Sequence, residues 1–515
     1  MQKEIIISDD EFETRCAILE DGVLTEIDIE RKNDEHTLNN TYKGRVENVL
    51  PGMQIAFVNI GLERHAFLHI SDIIRDLEEE SSNDDSSKLD LNRKSNDSPK
   101  PGRGYPYSIS DLIHPNQEIL VQVGKEPIGT KGPRVTTCIT LPGRYVVYLP
   151  TASNIGVSRR IESAEERQRL RDIAEAIRAD VEGGFIIRTS AEGKSEQDFT
   201  AEIRYLVGQW KQICQQAEKM PAPSLVHKEH NFIVRVIRDS FTSEVKRLVI
   251  DSKEQYQDAM GYLSSSGSEL RSQVKFYDKS TPIFEAYGID KELKKALSEK
   301  IWLKCGGHLV IQQTEAMVSI DVNTGKFVGK GDPDSTILSA NLEAVEEVVR
   351  QIRLRDLGGI IVIDFIDMDN PEHRRMVYKL LQQALDKDRA RTNLLHISDL
   401  GLVEMTRQRT RPSLATVLTE SCPYCDGHGS VLSTDTITIA LLRSIKKAHR
   451  KSRKRRLRVV ANEHIVSHLL DDKAGRVGQL EKSMNLQIQL QGDADVHLED
   501  YQIFAEGSNR EIYLN

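Results

Sequence analysis

The segment from Ile301 to Ile366 constrains the fold most, because its apolar pattern changes from strand to helix and back to strand. Residues Met317 to Val322 alternate in polarity, and Ile360 to Ile366 form a nearly continuous apolar run. Between them, apolar residues recur at steps of four and three, which predicts an amphipathic helix. They are Leu338, Leu342, Val345, Val349 and Ile352. We expect this helix to end at Gly358–Gly359, and the strands that it joins to be neighbours in a parallel sheet.

Each of these two strands carries an aspartate. Asp364 interrupts the apolar run, whereas Asp321 ends the alternating strand and precedes Asn323. An ionised carboxylate in a buried strand is costly without a partner, so we expect both acids at one open edge of the sheet. Two close carboxylates repel each other, and Mg²⁺ prefers such oxygen ligands. The alternative is that Asp321 is a turn residue and Asp364 pairs with an arginine.

Length and composition limit the remaining possibilities. At roughly 150 residues per domain, 515 residues correspond to three or four domains. No run approaches the roughly 18 apolar residues of a membrane span, and the start lacks the apolar stretch of a signal peptide. We therefore expect a soluble, intracellular protein. The net charge of −9 hides a block from Arg443 to Arg458 with ten Lys or Arg and no acid, which can bind phosphates.

Short alternating strands between Thr41 and Asp72, separated by glycine and proline, are typical of a small barrel. The two-residue period puts Phe57 and Phe67 on the side opposite to aliphatic residues, as on a base-stacking platform. A core or edge position for these aromatic residues is the alternative. The segment 76–107 is rich in Ser, Asn, Asp, Lys and Pro, and we interpret it as a disordered insertion.

Three further basic residues are candidates for phosphate contacts. Lys125 and Lys131 lie near glycines, and Arg188 ends a predicted strand immediately before Thr189. A guanidinium beside a hydroxyl is suited to clamp a phosphate. Residues in such positions are more often merely solvated, so the pattern alone leaves both interpretations open.

Cys422 and Cys425 have the two-residue spacing of a zinc knuckle. The other four cysteines are isolated, which fits a reducing compartment. Two thiolates leave a tetrahedral ion half coordinated. Either His428 and a remote residue complete the site, or two chains share one ion. An ordinary turn with two free thiols is the remaining alternative.

Together these features resemble the ribonuclease E/G family of bacterial and plastid endoribonucleases. The resemblance runs colinearly from about Gly44 to Cys425, and its most specific segment is RLRDLGGIIVIDFIDM at Arg353–Met368. The other segments that carry it are Ser319–Gly325, Asn341–Ala344, Asp388–Arg391, Gly401–Arg409 and Cys422–Cys425. In length the chain is closer to the compact, G-type members than to the large E-type enzymes.

The resemblance implies a multidomain α/β (α+β) fold. An S1 (OB) barrel is inserted in a ribonuclease-H-like domain, and a 5′-sensor domain, a DNase-I-like catalytic domain, a zinc link and a small C-terminal dimerisation domain complete the chain. The expected boundaries are 1–35 and 234–296 for the two ribonuclease-H-like parts, 36–137 for the barrel, 138–233 for the sensor, 297–418 for the catalytic domain, 419–433 for the zinc link and 434–515 for the small domain.

The resemblance also assigns roles to individual residues. Asp321 and Asp364 are implied to bind Mg²⁺ with support from Asn323, and Cys422 and Cys425 to share Zn²⁺ with the same pair of another protomer. The positions implied to hold RNA on the barrel are Phe57, Phe67 and Lys125, with Lys131 close by. The positions implied to form a pocket for a 5′-monophosphate are Gly143, Val147, Arg188, Thr189 and Arg391.

The implied activity is Mg²⁺-dependent endonucleolytic cleavage of single-stranded RNA in RNA processing and mRNA decay. It leaves a 5′-phosphate and a 3′-hydroxyl and is stimulated by 5′-monophosphate ends. The expected partners are rRNA precursors, mRNA and further copies of the chain, in a homodimer or homotetramer.

The resemblance places the protein in the bacterial cytoplasm, or in a plastid after removal of a transit peptide. No transmembrane segment is expected, and peripheral membrane association stays open. The rival interpretation is a non-catalytic RNA-binding or ribosome-assembly factor. Such a factor would keep Phe57, Phe67 and the basic block, but it needs no acid at the end of each of two strands.

Overall fold

The computed structural model describes two compact units, Met1–Leu414 and Ala415–Asn515. The residues described are 2–32, 36–73, 108–127, 132–158, 160–161, 163–242, 244–265, 269–325, 333–396, 398, 401–409, 411–471, 475–505, 507 and 510–512. The predicted insertion at 76–107 and Lys131 lie outside these residues. None of the described helices combines the length and the hydropathy that a bilayer crossing requires.

The first unit begins with three antiparallel strands, β1 (Lys3–Asp9), β2 (Glu13–Glu20) and β3 (Val23–Arg31). The side chains of Ile5, Ile6 and Ile7 in β1 are fully buried. Burial on both sides of β1 is typical of a central strand, and later parts of the chain supply its second neighbour.

A closed five-stranded barrel follows. Its elements are β4 (Thr41–Leu50), β5 (Ile55–Asn59), β6 (Ala66–His69), the short helix α1 (Ile109–Leu112), β7 (Glu118–Lys125) and β8 (Arg134–Thr136). β4 pairs with both β5 and β7, and β8 pairs with both β6 and β7, which closes the ring. Val58, Leu68 and Val123 fill the interior. The closed ring confirms the predicted barrel and is consistent with an S1 (OB) type.

The next segment forms a four-stranded sheet with two long helices. Its elements are β9 (Leu141–Pro142), β10 (Val146–Leu149), β11 (Ile155–Val157), α2 (Ala164–Arg178), β12 (Gly184–Ile187) and α3 (Glu196–Lys219). The strand order is β11-β12-β10-β9. Both helices start at a serine whose side chain accepts a hydrogen bond from a backbone N–H of the first turn, Ser163 for α2 and Ser195 for α3.

The chain then returns to the first sheet. The elements are β13 (Ser224–His227), α4 (Phe232–Ser240), β14 (Val245–Ile250), α5 (Lys253–Ser265), β15 (Val274–Phe276), α6 (Ile283–Ala286) and α7 (Ile289–Ala296). β14 pairs in parallel with β1 and with β15, which gives the order β15-β14-β1-β2-β3, whereas β13 pairs with β4 of the barrel. The barrel thus lies in sequence between the two parts of this sheet, as an inserted domain would. The assignment of this sheet and its helices as ribonuclease-H-like stays a prediction.

A six-stranded sheet with the order β16-β17-β18-β19-β21-β20 completes the unit. Its elements are β16 (Lys300–Trp302), β17 (His308–Gln313), β18 (Met317–Asn323), α8 (Pro333–Leu354), β19 (Gly359–Asp364), α9 (Pro371–Leu385), β20 (Thr392–Leu394) and β21 (Leu402–Arg407). β18 and β19 are parallel neighbours joined through α8, which confirms the strand–helix–strand prediction.

The predicted end of α8 is wrong. The helix ends at Leu354, and Asp356 takes the left-handed conformation with φ of 47°, which aspartate tolerates better than most residues. Gly359, with φ of 95°, instead begins β19. A Cβ at Gly358 would lie 2.5 Å from Cγ of Arg409, so this glycine makes room for an arginine that packs on the backbone.

The second unit packs helices on a three-stranded sheet with the order β23-β22-β24. Its elements are α10 (Leu414–Leu418), which begins one residue earlier, α11 (Thr434–Ser452), β22 (Arg456–Ala461), α12 (Glu463–Leu470), α13 (Arg476–Met484), β23 (Gln487–Gly492) and β24 (Tyr501–Ala505). Leu441, Ile445, Leu457 and Val459 form its core. The basic block covers the second half of α11, the turn after it and the start of β22.

Candidate functional site

Asp321 and Asp364 lie side by side on the parallel strands β18 and β19, where they are direct register partners. Neighbouring strands are about 4.8 Å apart, so the two carboxylates share one small area of the sheet. The prediction that the acids meet at one edge is confirmed.

The strand period explains why both carboxylates point away from the helices. Ile320, Val322 and Ile363 alternate with the acids and are buried in one core with residues of α8 and α9. Asp321 and Asp364 therefore lie on the opposite face of the sheet, where both are exposed. Side chains on this face can contact a ligand without any rearrangement of the core.

The electrostatics of this face favour a bound cation. Partial burial, together with the negative charges of Asp321 and Asp367, raises the pKa of Asp364. The Asn323 side chain donates a hydrogen bond of 2.7 Å from Nδ2 to Oδ2 of Asp321, which orients that carboxylate. In the described part of the chain no ion pair joins either acid to an arginine, so the alternative for Asp364 is not supported.

The residues present fit Mg²⁺. This ion is usually held by one or two carboxylates and keeps several waters that a phosphate can replace. Among the described residues, no cluster of three or more His, Cys, Asp and Glu side chains offers a complete protein cage. Two carboxylates with a supporting amide match the open coordination that Mg²⁺ prefers.

A row of aromatic and basic side chains crosses the barrel. Phe57 is the register partner of Phe67, Phe67 pairs with Arg134, and Arg134 pairs with Lys125. The side chains that alternate with Phe57 and Phe67, including Val58 and Leu68, are fully buried, whereas the two rings are partly exposed. The rings therefore lie on the outer surface, as predicted, and the core alternative for them is not supported.

Sequence reasoning missed Arg134 in this row. Its guanidinium carbon lies 5.9 Å from the centre of the Phe67 ring, and its Nε donates a hydrogen bond of 2.7 Å to Asp72. Asp72 thus holds the guanidinium in place beside the ring. Only the closure of the barrel brings Arg134 next to Phe67, so no local pattern in the sequence points to it.

Arg188 follows β12 and lies against the loop before β10. Its Nη1 donates hydrogen bonds of 2.9 Å to the Gly143 carbonyl and 2.7 Å to Oδ1 of Asp239. A Cβ at Gly143 would come within 2.7 Å of the Val146 carbonyl, so the close turn requires glycine. Val147, on β10, is the register partner of Pro142, the chain neighbour of Gly143, and Thr189 directly follows Arg188.

Two acids that sequence reasoning missed organise this corner. The Glu202 carboxylate accepts hydrogen bonds of 2.6 to 3.0 Å from the backbone N–H groups of residues 144–146, although its burial raises its pKa. Burial also acts to raise the pKa of Asp239, but the charges of Arg238 and Arg188 outweigh it and lower that pKa overall. Both acids are remote in sequence from the residues that they hold.

The segment that contains Arg391 lies beside this corner. Arg160 donates from Nη2 to the carbonyls of Asp388 and Arg389, and Nη1 of Arg389 donates to the hydroxyl of Ser240 at 2.7 Å. Ser240 is the chain neighbour of Asp239, the partner of Arg188. The structure therefore brings the segment 388–391 close to the predicted pocket.

Cys422 and Cys425 form a compact turn in the second unit. The Gly429 N–H lies 3.2 Å from Sγ of Cys425, and hydrogen bonds from the backbone of Cys425 and Tyr424 lower the pKa of the Cys422 thiol. Thiolates stabilised by backbone N–H groups are the form that binds zinc. Among the described residues, no third ligand joins the pair in one chain, so completion by His428 within a single copy has no structural support.

Comparisons with known proteins agree with this arrangement. A model of the Ribonuclease E/G family matches residues 140–410, and a model of the "RNase E/G, Thioredoxin-like domain" matches residues 421–507. The latter fold type was not predicted from the sequence. The chain is 40% identical over 503 residues to Ribonuclease G of Salmonella typhimurium (strain SL1344), which covers 98% of this chain and 99% of the relative.

Two further relatives also match nearly the whole of this chain. Ribonuclease G of Escherichia coli (strain K12) is 40% identical over 491 residues, with coverage of 95% of this chain and 97% of the relative. Ribonuclease E of the same strain is 34% identical over 483 residues, which are 93% of this chain but 44% of that longer relative. Because a family model matches more than half of the chain and relatives named Ribonuclease G match nearly all of it at 40% identity, the protein belongs to the ribonuclease E/G family.

Proposed function

We propose that the chain, an endoribonuclease of the ribonuclease E/G family, cuts single-stranded RNA with Mg²⁺ held by Asp321 and Asp364. The observation that carries this proposal is the direct register of the two acids on the exposed face of the sheet. A non-catalytic RNA-binding factor has no use for two carboxylates that repel each other at this position.

Each residue of the site has a distinct role in the proposed reaction. Asp321 and Asp364 hold the cation, and Asn323 keeps the Asp321 carboxylate oriented through its 2.7 Å hydrogen bond. Bound Mg²⁺ would supply a Lewis acid that lowers the pKa of water and offsets charge on the phosphate. Attack of water on the phosphorus then breaks the bond to the 3′ oxygen, which leaves a 5′-phosphate on one fragment and a 3′-hydroxyl on the other.

Incubation of the purified chain with a single-stranded A/U-rich oligonucleotide tests the proposed activity. We expect internal cleavage with Mg²⁺ and none in the presence of a chelator. A chain that binds the oligonucleotide but leaves it intact at every Mg²⁺ concentration would support the non-catalytic alternative.

We infer further that substrates in the cell are rRNA precursors and mRNA, and that the protein works in the cytoplasm. The support is the high identity to ribonucleases named G over nearly their full length. We also propose that Zn²⁺ links two copies of the chain through Cys422 and Cys425, because one copy offers only half of a tetrahedral site.

The row of Phe57, Phe67, Arg134 and Lys125 supports a role of the barrel in holding RNA. Aromatic rings on an exposed barrel face stack with bases, and basic side chains at the end of the row contact phosphates. Because a base has a flat face whatever its identity, this surface accepts single strands of many sequences. A duplex keeps its bases stacked on one another and cannot use it.

Replacement Phe57→Ala should weaken binding of single-stranded RNA by about 1–3 kcal/mol, the range for one base-stacking contact. Fluorescence anisotropy with a labelled oligonucleotide in a chelator measures this loss without cleavage. Tyr205→Ala, which removes an exposed aromatic ring from α3, is the control. Equal affinities of the Phe57→Ala variant and the unchanged protein would show that this ring does not stack with RNA.

We propose that the corner of Gly143, Val147, Arg188, Thr189 and Arg391 binds a 5′-monophosphate. Both side-chain hydrogen bonds described for Arg188 come from Nη1, and a bidentate contact with phosphate can use the edge of Nε and Nη2. Asp239 fixes the guanidinium so that this edge keeps one direction. A triphosphate would overfill a corner built for one phosphate group.

Replacement Arg188→Ala should remove the advantage of 5′-monophosphorylated RNA over RNA with a 5′-hydroxyl. Two charge-assisted hydrogen bonds are lost, each worth about 1.5–3 kcal/mol, so we expect at least about a tenfold decrease in cleavage rate for the monophosphorylated substrate alone. Parallel rate measurements on the two substrates test this. An equal decrease for both would show that Arg188 stabilises the fold instead of sensing the 5′ end.

A further inference from the structure

An exposed tryptophan lies on the same sheet face as the two aspartates. Trp302 is 64% exposed, although large aromatic side chains are usually buried because they carry the largest apolar surface. The chain contains only one other tryptophan, Trp210, which packs partly buried against a hydrophobic core. Single exposed aromatic side chains are common on protein surfaces, so the position of Trp302 decides what its exposure means.

Strand register connects Trp302 to the metal site. Trp302 pairs with His308 across β16 and β17, and His308 pairs with Asn323 across β17 and β18. Asn323 in turn contacts Asp321 through its 2.7 Å hydrogen bond. Register partners lie on one face of a sheet, so an uninterrupted row leads from the carboxylates to the indole, two strands or about 10 Å away.

The neighbours of Trp302 match the chemistry of a nucleotide. Its ring centre lies 5.2 Å from that of His308, and Nζ of Lys300 lies 4.5 Å from the indole centre. Tryptophan and histidine rings stack with unpaired bases, and the lysine ammonium attracts phosphates. The site thus combines an aromatic surface for a base with a cation for the RNA backbone. It lies as far from the two carboxylates as a nucleotide that flanks the scissile phosphate would.

We propose that Trp302 and His308 form a base-stacking subsite that holds a nucleobase next to the scissile phosphate. The subsite rests on the proposed function, because it takes RNA as the ligand of this sheet face. Stacking fixes the strand over the carboxylates and requires an unpaired base, so this subsite would itself contribute to the preference for single strands. It acts by positioning RNA and needs no contact of Trp302 with the cation.

Replacement Trp302→Ala should weaken the binding of single-stranded RNA at least about fivefold, which corresponds to the lower end of base-stacking energies. Trp302→Phe should restore most of the affinity, because a smaller ring still stacks. The control is Phe12→Ala, which removes a ring that is 74% exposed in the turn between β1 and β2 of another sheet. Binding is measured in a chelator, so that the RNA stays intact.

RNA that lacks one base at a defined position separates stacking from a structural effect. At the nucleotide that occupies the subsite, removal of the base should weaken binding to the unchanged protein but have little further effect on the Trp302→Ala variant. At all other positions the two losses should add. Additive losses at every position, or an unaltered affinity of Trp302→Ala, would overturn the proposal.

Intrinsic fluorescence gives a readout that does not depend on affinity. In a Trp210→Phe variant the only indole is Trp302, and saturating RNA should quench its emission. In a Trp302→Phe variant the signal of Trp210 should stay unchanged. RNA that is bound and cleaved without any change in Trp302 emission would contradict the subsite alone, whereas a chain that neither binds nor cleaves RNA would contradict the proposed function.

Discussion

Replacement Asp364→Asn should lower the rate of RNA cleavage by more than about a hundredfold, while RNA affinity in a chelator stays nearly unchanged. Loss of residues that only support a metal ligand typically costs 10- to 100-fold, and Asp364 is proposed to be a ligand itself. The amide keeps the shape of the side chain but removes the negative charge that attracts Mg²⁺. The measurement is cleavage of a labelled oligonucleotide over a range of Mg²⁺ concentrations.

Asp369→Asn is the matched control, because this exposed acid lies in the loop directly after β19. We expect the Asp369→Asn variant to cleave RNA at the normal rate. Near-normal turnover by Asp364→Asn at saturating Mg²⁺ would reject the metal assignment. A variant that has also lost RNA affinity and its cooperative unfolding would have to be replaced by Asp364→Glu, which keeps the charge but misplaces it and should likewise be slow.

Replacement of both Cys422 and Cys425 by serine should remove the zinc and shift the protein to smaller species. A structural zinc ion takes four ligands, and one copy supplies two thiolates in a turn that lowers the pKa of the Cys422 thiol. Two copies related by a two-fold axis would complete the site, so the unchanged protein should contain about half an ion per chain. Elemental analysis combined with light scattering measures both quantities.

Cys214→Ser is the control for this experiment, since Cys214 lies alone on α3. It should keep both the zinc content and the assembly. One full ion per chain in a monomer would rule out the shared site and favour a ligand set within one copy. Loss of zinc without any change in assembly would show that the metal stabilises the knuckle but does not join the copies.

The arrangement of the candidate site could be predicted because its signals are local. The alternation of β18, the apolar run of β19 and the stripe of α8 each lie within one segment, and a crossover helix makes the two strands parallel neighbours. Asp321 and Asp364 therefore had to emerge at the same edge. The two-residue period likewise put Phe57 and Phe67 on the outer surface of the barrel.

Other parts depend on contacts between distant segments, which no local pattern contains. Arg134 joins the aromatic row only because the barrel closes, and Asp239 reaches Arg188 from a helix 51 residues further along the chain. The predicted end of α8 is wrong for the same reason. Gly358 resembles a helix stop in sequence, but its role is to admit Arg409 against the backbone.

The chemical nature of the RNA ends after cleavage tests the central claim most directly. If water attacks the phosphate at a site held by Asp321 and Asp364, every downstream fragment should carry a 5′-phosphate and every upstream fragment a 3′-hydroxyl, and cleavage should stop when a chelator removes Mg²⁺. Mass spectrometry of the products identifies both ends. Fragments with a 2′,3′-cyclic phosphate and a 5′-hydroxyl, formed equally well with the chelator present, would contradict the account.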